Sequence, residues 1–137
     1  MANTFLLAQG HSVGRSLAEA YLVDTARAIL KTAEAAKCAV LLPVDGIVAR
    51  EFKAGAESHD YGIDAIPADG MILDVGPQST ARIHAAIDDA KTLVWNGPLG
   101  AFEMTPFDRG TMVAAKHAGE RTKAKKLVSV AGGGDTV

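Results

Sequence analysis

A chain of 137 residues, 48% hydrophobic and 22% charged, is one domain's worth of polypeptide, long enough to bury a core and ordinary for a globular protein. Its formal net charge of -2 excludes the strongly basic balance of nucleic-acid and anionic-membrane binders, and the basic stretch 123–126 reads as a solvated helix end. No apolar run approaches the roughly 18 residues of a membrane span, and no basic-then-apolar leader opens the chain, so the cytoplasm is the expected compartment.

In chain order, Phe5, Leu6 and Leu7 suit a short helix over residues 1–8 stopped by Gly10. Leu17, Ala20, Tyr21, Val23, Ala26, Ile29, Leu30 and Ala33 recur near helical spacing and predict a helix over 16–36. The continuous apolar run 38–44 is too short for a helix and reads as a strand buried on both faces, with Cys38 a small buried hydrophobe at its head. As the only cysteine, Cys38 excludes an internal disulfide. Residues 51–69 are irregular and carry at most a short strand. Residues 71–75 predict a strand closed by Gly76-Pro77, and 79–90 an amphipathic helix capped by Ser79. A strand over 93–95, a helix over 107–121 and a strand over 127–131 complete the pattern. There is no internal repeat and no linker.

Strands alternating with helices of this length predict an α/β domain with a parallel sheet. Ligands of such sheets sit beyond the carboxyl ends of the strands. Four strand ends carry Gly, Asp or Asn clusters: Asp45-Gly46, Asp74-Val75-Gly76-Pro77, Asn96-Gly97-Pro98 and Gly132-Gly133-Gly134-Asp135. They are expected to line one edge.

The sharpest motif is the last. An apolar strand running into glycines and then Asp135-Thr136 suits anion binding, because glycines let backbone N–H groups approach phosphate oxygens and Asp-Thr is a natural cap. Asp135 would help to hold an accompanying Mg²⁺, which prefers one or two carboxylates with phosphates and water. Asn96 offers a donor to phosphate, Glu103 an acceptor for ribose hydroxyls, and Trp95 and Phe102 read as core. The stretch Gly10-His11-Ser12-Val13-Gly14-Arg15-Ser16 is not a P-loop: it is one residue short, has Arg where the lysine belongs and follows no strand. No G-x-G-x-x-G follows a strand, the four histidines lack metal-ligand spacing, and no serine lies in a nucleophile elbow. These absences argue against an α/β oxidoreductase or hydrolase using another cofactor.

The segments Met1-Ala2-Asn3-Thr4-Phe5-Leu6, Leu42-Pro43-Val44-Asp45, Leu73-Asp74-Val75-Gly76-Pro77, Lys91 to Glu103 and Ala131 to Val137 resemble phosphoglycerate kinase in order and spacing, through essentially the whole chain. The resemblance implies a Rossmann-like parallel sheet with helices on both faces, truncated at both ends: residues 1–137 as part of a C-terminal nucleotide-binding domain, without the N-terminal phosphoglycerate domain. It implies a glycolytic phosphotransferase moving a phosphoryl group between 1,3-bisphosphoglycerate and ADP. ATP or ADP is then the substrate with Mg²⁺, and the full-length enzyme a monomer. By resemblance, Leu17, Leu73 and Ala101 line the adenine pocket, Glu103 binds ribose, Asn96 approaches the phosphates, and Gly133, Gly134, Asp135 and Thr136 hold phosphates and metal. The family's preceding glycines, its upstream phosphate-contacting lysine, its catalytic arginine and its final glycine-rich helix terminus have no counterparts in this sequence. No catalytic residue is therefore assigned, and phosphoglycerate would bind only through the missing domain. The isolated chain is expected to be inactive; the alternative is an independent, non-catalytic nucleotide-binding module. Neither nucleic acid nor membrane is expected as a partner.

Overall fold

The computed structural model describes all 137 residues. In chain order the elements are α1 (Ala2–Ala8), α2 (Val23–Ala35), β1 (Asp45–Ala49), β2 (Ser58–Gly62), β3 (Met71–Val75), α3 (Pro77–Asp89), β4 (Thr92–Asn96), α4 (Arg109–Lys123) and β5 (Val128–Gly132). Short 3-10 turns at Ala20–Leu22 and Ile63–Ala65 precede α2 and follow β2.

The strands form two sheets. β4 and β5 pair in parallel from Thr92↔Val128 to Asn96↔Gly132, with α4 as the crossover, which is the strand–helix–strand unit expected from the alternation. β1 lies between β2 and β3 and is antiparallel to both. The α/β class and the parallel pairing therefore hold for β4–α4–β5, while β3 joins an antiparallel sheet. The cause lies in the connections. No long helix intervenes between β1 and β2 or between β2 and β3, so nothing returns the chain to start a parallel strand.

Two expected elements move. The apolar run before Asp45 forms no strand: residues 38–43 have neither helical nor strand pairing, and β1 begins at Asp45 instead. Hydrophobicity alone cannot make a strand where no neighbour offers backbone partners. Cys38 is accordingly exposed, not buried. The second helix starts at Val23, because the stretch before it is held elsewhere by polar contacts. Arg15 N–H donates to the Gly70 carbonyl at 2.8 Å, and Ser16 Oγ accepts the Ile72 N–H at 2.8 Å. Residues 10–16 follow α1 instead of a strand and pack against the approach to β3.

Burial is spread thinly. Of 137 residues 22 are buried, so the interior divides into three small clusters instead of one core. Leu6, Val13, Val48, Ile63 and Ile66 join α1 to the antiparallel sheet. Ala49, Ala56, Leu73 and Phe107 anchor the loop after β4, with Phe107 fully enclosed. Burying a side chain of that kind is worth about 1.5–3 kcal/mol. Ile87, Ala118 and Leu127 tie α3 to α4 and β5, with Trp95 packed against them. No helix is long and apolar enough to cross a membrane.

Candidate nucleotide site

The four clusters do not line one edge of one sheet. Asp45-Gly46 opens β1 instead of closing a strand and lies beside the end of β3, while Asn96 and Gly132 pair at the end of the other sheet. The carboxylates have unequal roles. Asp45 opens β1 and is fully buried. Its Oδ2 accepts the Gln78 N–H and its Oδ1 the Ser79 N–H, both at 2.8 Å, so it satisfies the orphan donors of the first turn of α3. Ser79 was expected to cap that helix; it lies inside it instead. Gly76 is the N-cap residue and offers no side chain, and Pro77 occupies the first turn. The Ser79 hydroxyl accepts the N–H groups of Val44 and Asp45. The cap is thus supplied from another element.

Asp74 repeats the device on α4. One carboxylate oxygen accepts the Gly110 N–H at 2.7 Å and the other the Val75 N–H at 2.8 Å. Gly110 permits this approach, since a Cβ there would fall 2.5 Å from Asp74 Oδ1. Burial raises the Asp74 pKa above the usual carboxylate value; the Gly110 and Val75 N–H groups oppose the rise and nearby Asp108 adds to it. The two aspartates fix the helices around the site and spend their hydrogen-bonding capacity inside the protein.

Beside them lies a cavity of about 610 Å³ lined mainly by apolar side chains, among them Leu17, Leu73, Leu99 and Ala101. Its volume falls in the range of small-molecule sites. The three residues assigned to an adenine pocket are thus brought together, from the loop after α1, from β3 and from the loop after β4. The Ala101 N–H donates to the Leu73 carbonyl at 2.8 Å, which fastens two of those walls to each other. Arg15 and Phe52 also line the cavity. The sequence reading missed both as site residues. In the sequence Arg15 stands only where a P-loop would need lysine, and Phe52 sits in the irregular stretch after β1, where no periodicity points anywhere.

The phosphate-type residues form a second group at the carboxyl ends of β4 and β5. Asn96 and Gly132 are register partners. The Gly97 N–H donates to Thr136 Oγ1 at 2.7 Å, and the Thr136 N–H turns back to the Gly133 carbonyl at 3.1 Å. Gly133 has φ +92, a conformation that disfavours any side chain, and a Cβ there would meet Asn96 Oδ1 at 2.7 Å. Asp135 and Gly134 are exposed. The loop 96–101 runs from this group to the cavity, with Leu99, Gly100 and Ala101 on the cavity wall. Glu103 is exposed on the turn just beyond Ala101 and lines none of that cavity. Trp95 and Phe102 are both half-buried, so neither is a fully buried core residue; Trp95 packs against the Ile87–Ala118–Leu127 cluster and its Nε1–H donates to the Gly97 carbonyl at 2.6 Å, which holds the loop.

This combination, an apolar cavity joined by a Trp-Asn-Gly-Pro loop to a glycine-rich strand end, belongs to an α/β domain with a cavity of small-molecule size. The comparisons with known proteins name its family. The family model described as phosphoglycerate kinase matches residues 1–137. The phosphoglycerate kinase of Bradyrhizobium diazoefficiens is 74% identical over all 137 residues, and that of Rhodopseudomonas palustris 71%. The phosphoglycerate kinase structure from Coxiella burnetii superposes with a TM-score of 0.91 at 39% identity, over 97% of this chain. The chain belongs to the phosphoglycerate kinase family. It spans 34% of the length of the curated relatives it matches and 34% of the Coxiella chain.

Proposed function

We propose that this chain carries part of the nucleotide site of a phosphoglycerate kinase, in which ADP or ATP is bound for phosphoryl exchange with 1,3-bisphosphoglycerate or 3-phosphoglycerate. The observation that carries the reading is the single cavity bordered by Leu17, Leu73 and Ala101 and joined by loop 96–101 to the Gly133–Thr136 turn. An adenine ring fits the apolar cavity by burial of its faces, while the strand-end loop offers glycine backbone and the Asn96 amide to the phosphates. Glu103, exposed two residues beyond Ala101 but not lining the cavity, would accept from ribose hydroxyls on this reading.

The donor set also suits magnesium. Nowhere do three or more His, Cys, Asp or Glu side chains gather into a metal cage. A single exposed carboxylate, Asp135, stands at the phosphate end of the site. That is the pattern for a hard cation bound mainly by nucleotide phosphates and water and steadied by one side chain. When bound, the ion would offset phosphate charge.

Phosphoryl transfer depends on holding donor and acceptor in line with cations around the moving group, an arrangement worth about 7–11 kcal/mol of barrier. The residues described hold one substrate only. On this reading the chain by itself is a nucleotide binder, and by family resemblance the full-length enzyme would be a cytoplasmic monomer.

Calorimetric titration with Mg-ADP tests this. Weak binding is expected, lost when Ala101→Trp fills the cavity and diminished in Asp135→Ala only when magnesium is present. Equal binding by wild type and Ala101→Trp would overturn the assignment of the cavity. A coupled assay with 1,3-bisphosphoglycerate and Mg-ADP should give no turnover; kinase-level turnover by the pure chain would refute the binder-only reading.

A further inference from the structure

One face of the antiparallel sheet, together with the first turns of α3 and α4, encloses a second cavity of about 440 Å³, and the strand register sets its charge pattern. Ile47 is the register partner of Asp60 on β2 and of Asp74 on β3. Directly opposed residues share a sheet face, so these three side chains stand in one row with Ile47 between two carboxylates. Neighbouring strands lie about 4.8 Å apart, which sets the outer members of the row about 10 Å from each other. Val75, Pro77, Pro106 and Val113 add apolar wall.

The two carboxylates differ in what they have left to offer. Asp74 spends its oxygens on the Gly110 and Val75 N–H groups. Asp60 stands exposed in the cavity wall, and no ion pair of the structure includes it. Burial raises its pKa and the Asp45 carboxylate adds to the rise, so this anion has lost water without gaining a cation. Arg109 lines the same cavity and is equally without an ion pair. It enters beside Asp74, because the next residue of α4 gives its N–H to that carboxylate. The cavity therefore holds a free anion at one end, a free cation at the other and an apolar stretch between them.

We propose that this cavity binds a short zwitterion with an apolar body, of the class of a free dipeptide, its ammonium on Asp60 and its carboxylate on Arg109. Two extended residues span about 7 Å, and a hydrogen bond of about 2.9 Å at one end brings the total to the length of the row. A guanidinium suits the carboxylate end because its fork of donors can take both oxygens. Aliphatic side chains of the ligand would cover Ile47 and Val113. Asp74 and Val75 line this cavity and the larger one alike, but the proposal does not depend on the nucleotide reading.

Chemical-shift titration of the isotope-labelled chain with leucyl-leucine tests it. Saturable shifts are expected at the amides of Ile47, Asp60 and Gly110. Acetylating the amino end or amidating the carboxyl end of the peptide should each weaken binding about ten-fold, the cost of one hydrogen bond to a charged group. The losses should cross over between peptide and protein. Asp60→Asn should weaken leucyl-leucine and its amide and leave the acetylated peptide unaffected. Arg109→Gln should weaken leucyl-leucine and the acetylated peptide and leave the amide unaffected. Absence of saturable shifts, equal binding of the three peptides, or losses that do not cross would each overturn the proposal. Ala101→Trp should leave leucyl-leucine binding unchanged; its loss there would put the peptide in the larger cavity and overturn the proposal too.

Discussion

The Asp45 carboxylate, on the first residue of β1, accepts the backbone N–H groups of Gln78 and Ser79 at 2.8 Å and so caps a helix more than thirty residues away in sequence. The pair is buried, and the Ser79 hydroxyl closes the ring by accepting the N–H groups of Val44 and Asp45. One contact therefore fixes the start of β1 and the start of α3 together.

Asp45→Ala leaves the buried Ser79 N–H and the part-buried Gln78 N–H without their carboxylate partner. An unsatisfied buried donor costs about 1–3 kcal/mol, so a loss of about 2–4 kcal/mol is expected. Urea unfolding should show the midpoint fall, with Asp45→Asn intermediate because its amide oxygen still accepts one bond. A loss below about 0.5 kcal/mol in Asp45→Ala would mean that water reaches those N–H groups.

Asp74 gives a pH signature. Its folded pKa is raised by burial, so the folded protein binds this proton more tightly than the unfolded chain. The associated stability is present below the unfolded value and is lost as pH rises from there through the folded pKa. Asp74→Asn keeps an acceptor for the Gly110 N–H and removes the titration. The stability of wild type minus variant should therefore decline with rising pH across the weakly acidic range and level off above it. A difference that is flat in pH would contradict the shift.

Lys37 and Lys125 sit just past the ends of α2 and α4 with φ of 55° and 57°. The Cys38 N–H reaches back to the Ala33 carbonyl and the Lys126 N–H to the Arg121 carbonyl, the bonds of a left-handed helix terminus. A side chain in that conformation costs about 1 kcal/mol relative to glycine. Lys37→Gly and Lys125→Gly should each raise the Tm by a few degrees, while Lys31→Gly in mid-helix should lower stability by about 1 kcal/mol. Thermal unfolding of the three variants checks the contrast.

Cys38 is exposed and flanks the unpaired apolar run. A colorimetric disulfide reagent should modify one thiol per native chain, at a rate within a few-fold of that in denaturant. Slow modification that needs unfolding would restore the buried, strand-like reading of this residue.

The sequence by itself determined the local elements whose cause is local. The helical spacing in 23–35, the strand at Met71–Val75 and the β4–α4–β5 unit were legible because their apolar periods match the faces they bury. The glycine-rich end at 132–136 was legible because backbone that must turn sharply needs glycine. The Leu17, Leu73 and Ala101 grouping came from family resemblance, since nothing in their spacing joins residues that far apart.

Tertiary structure alone decided the rest. Asp45 and Asp74 look like ligand groups at strand ends, and became helix caps because two helix N-termini arrive against them. Residues 38–43 have the composition of a strand and form none, because a strand is a relationship between backbones and β4 lies across a groove from Leu41. A residue's hydrophobicity is written in its own side chain; its hydrogen-bond partner is another residue, placed by the whole fold.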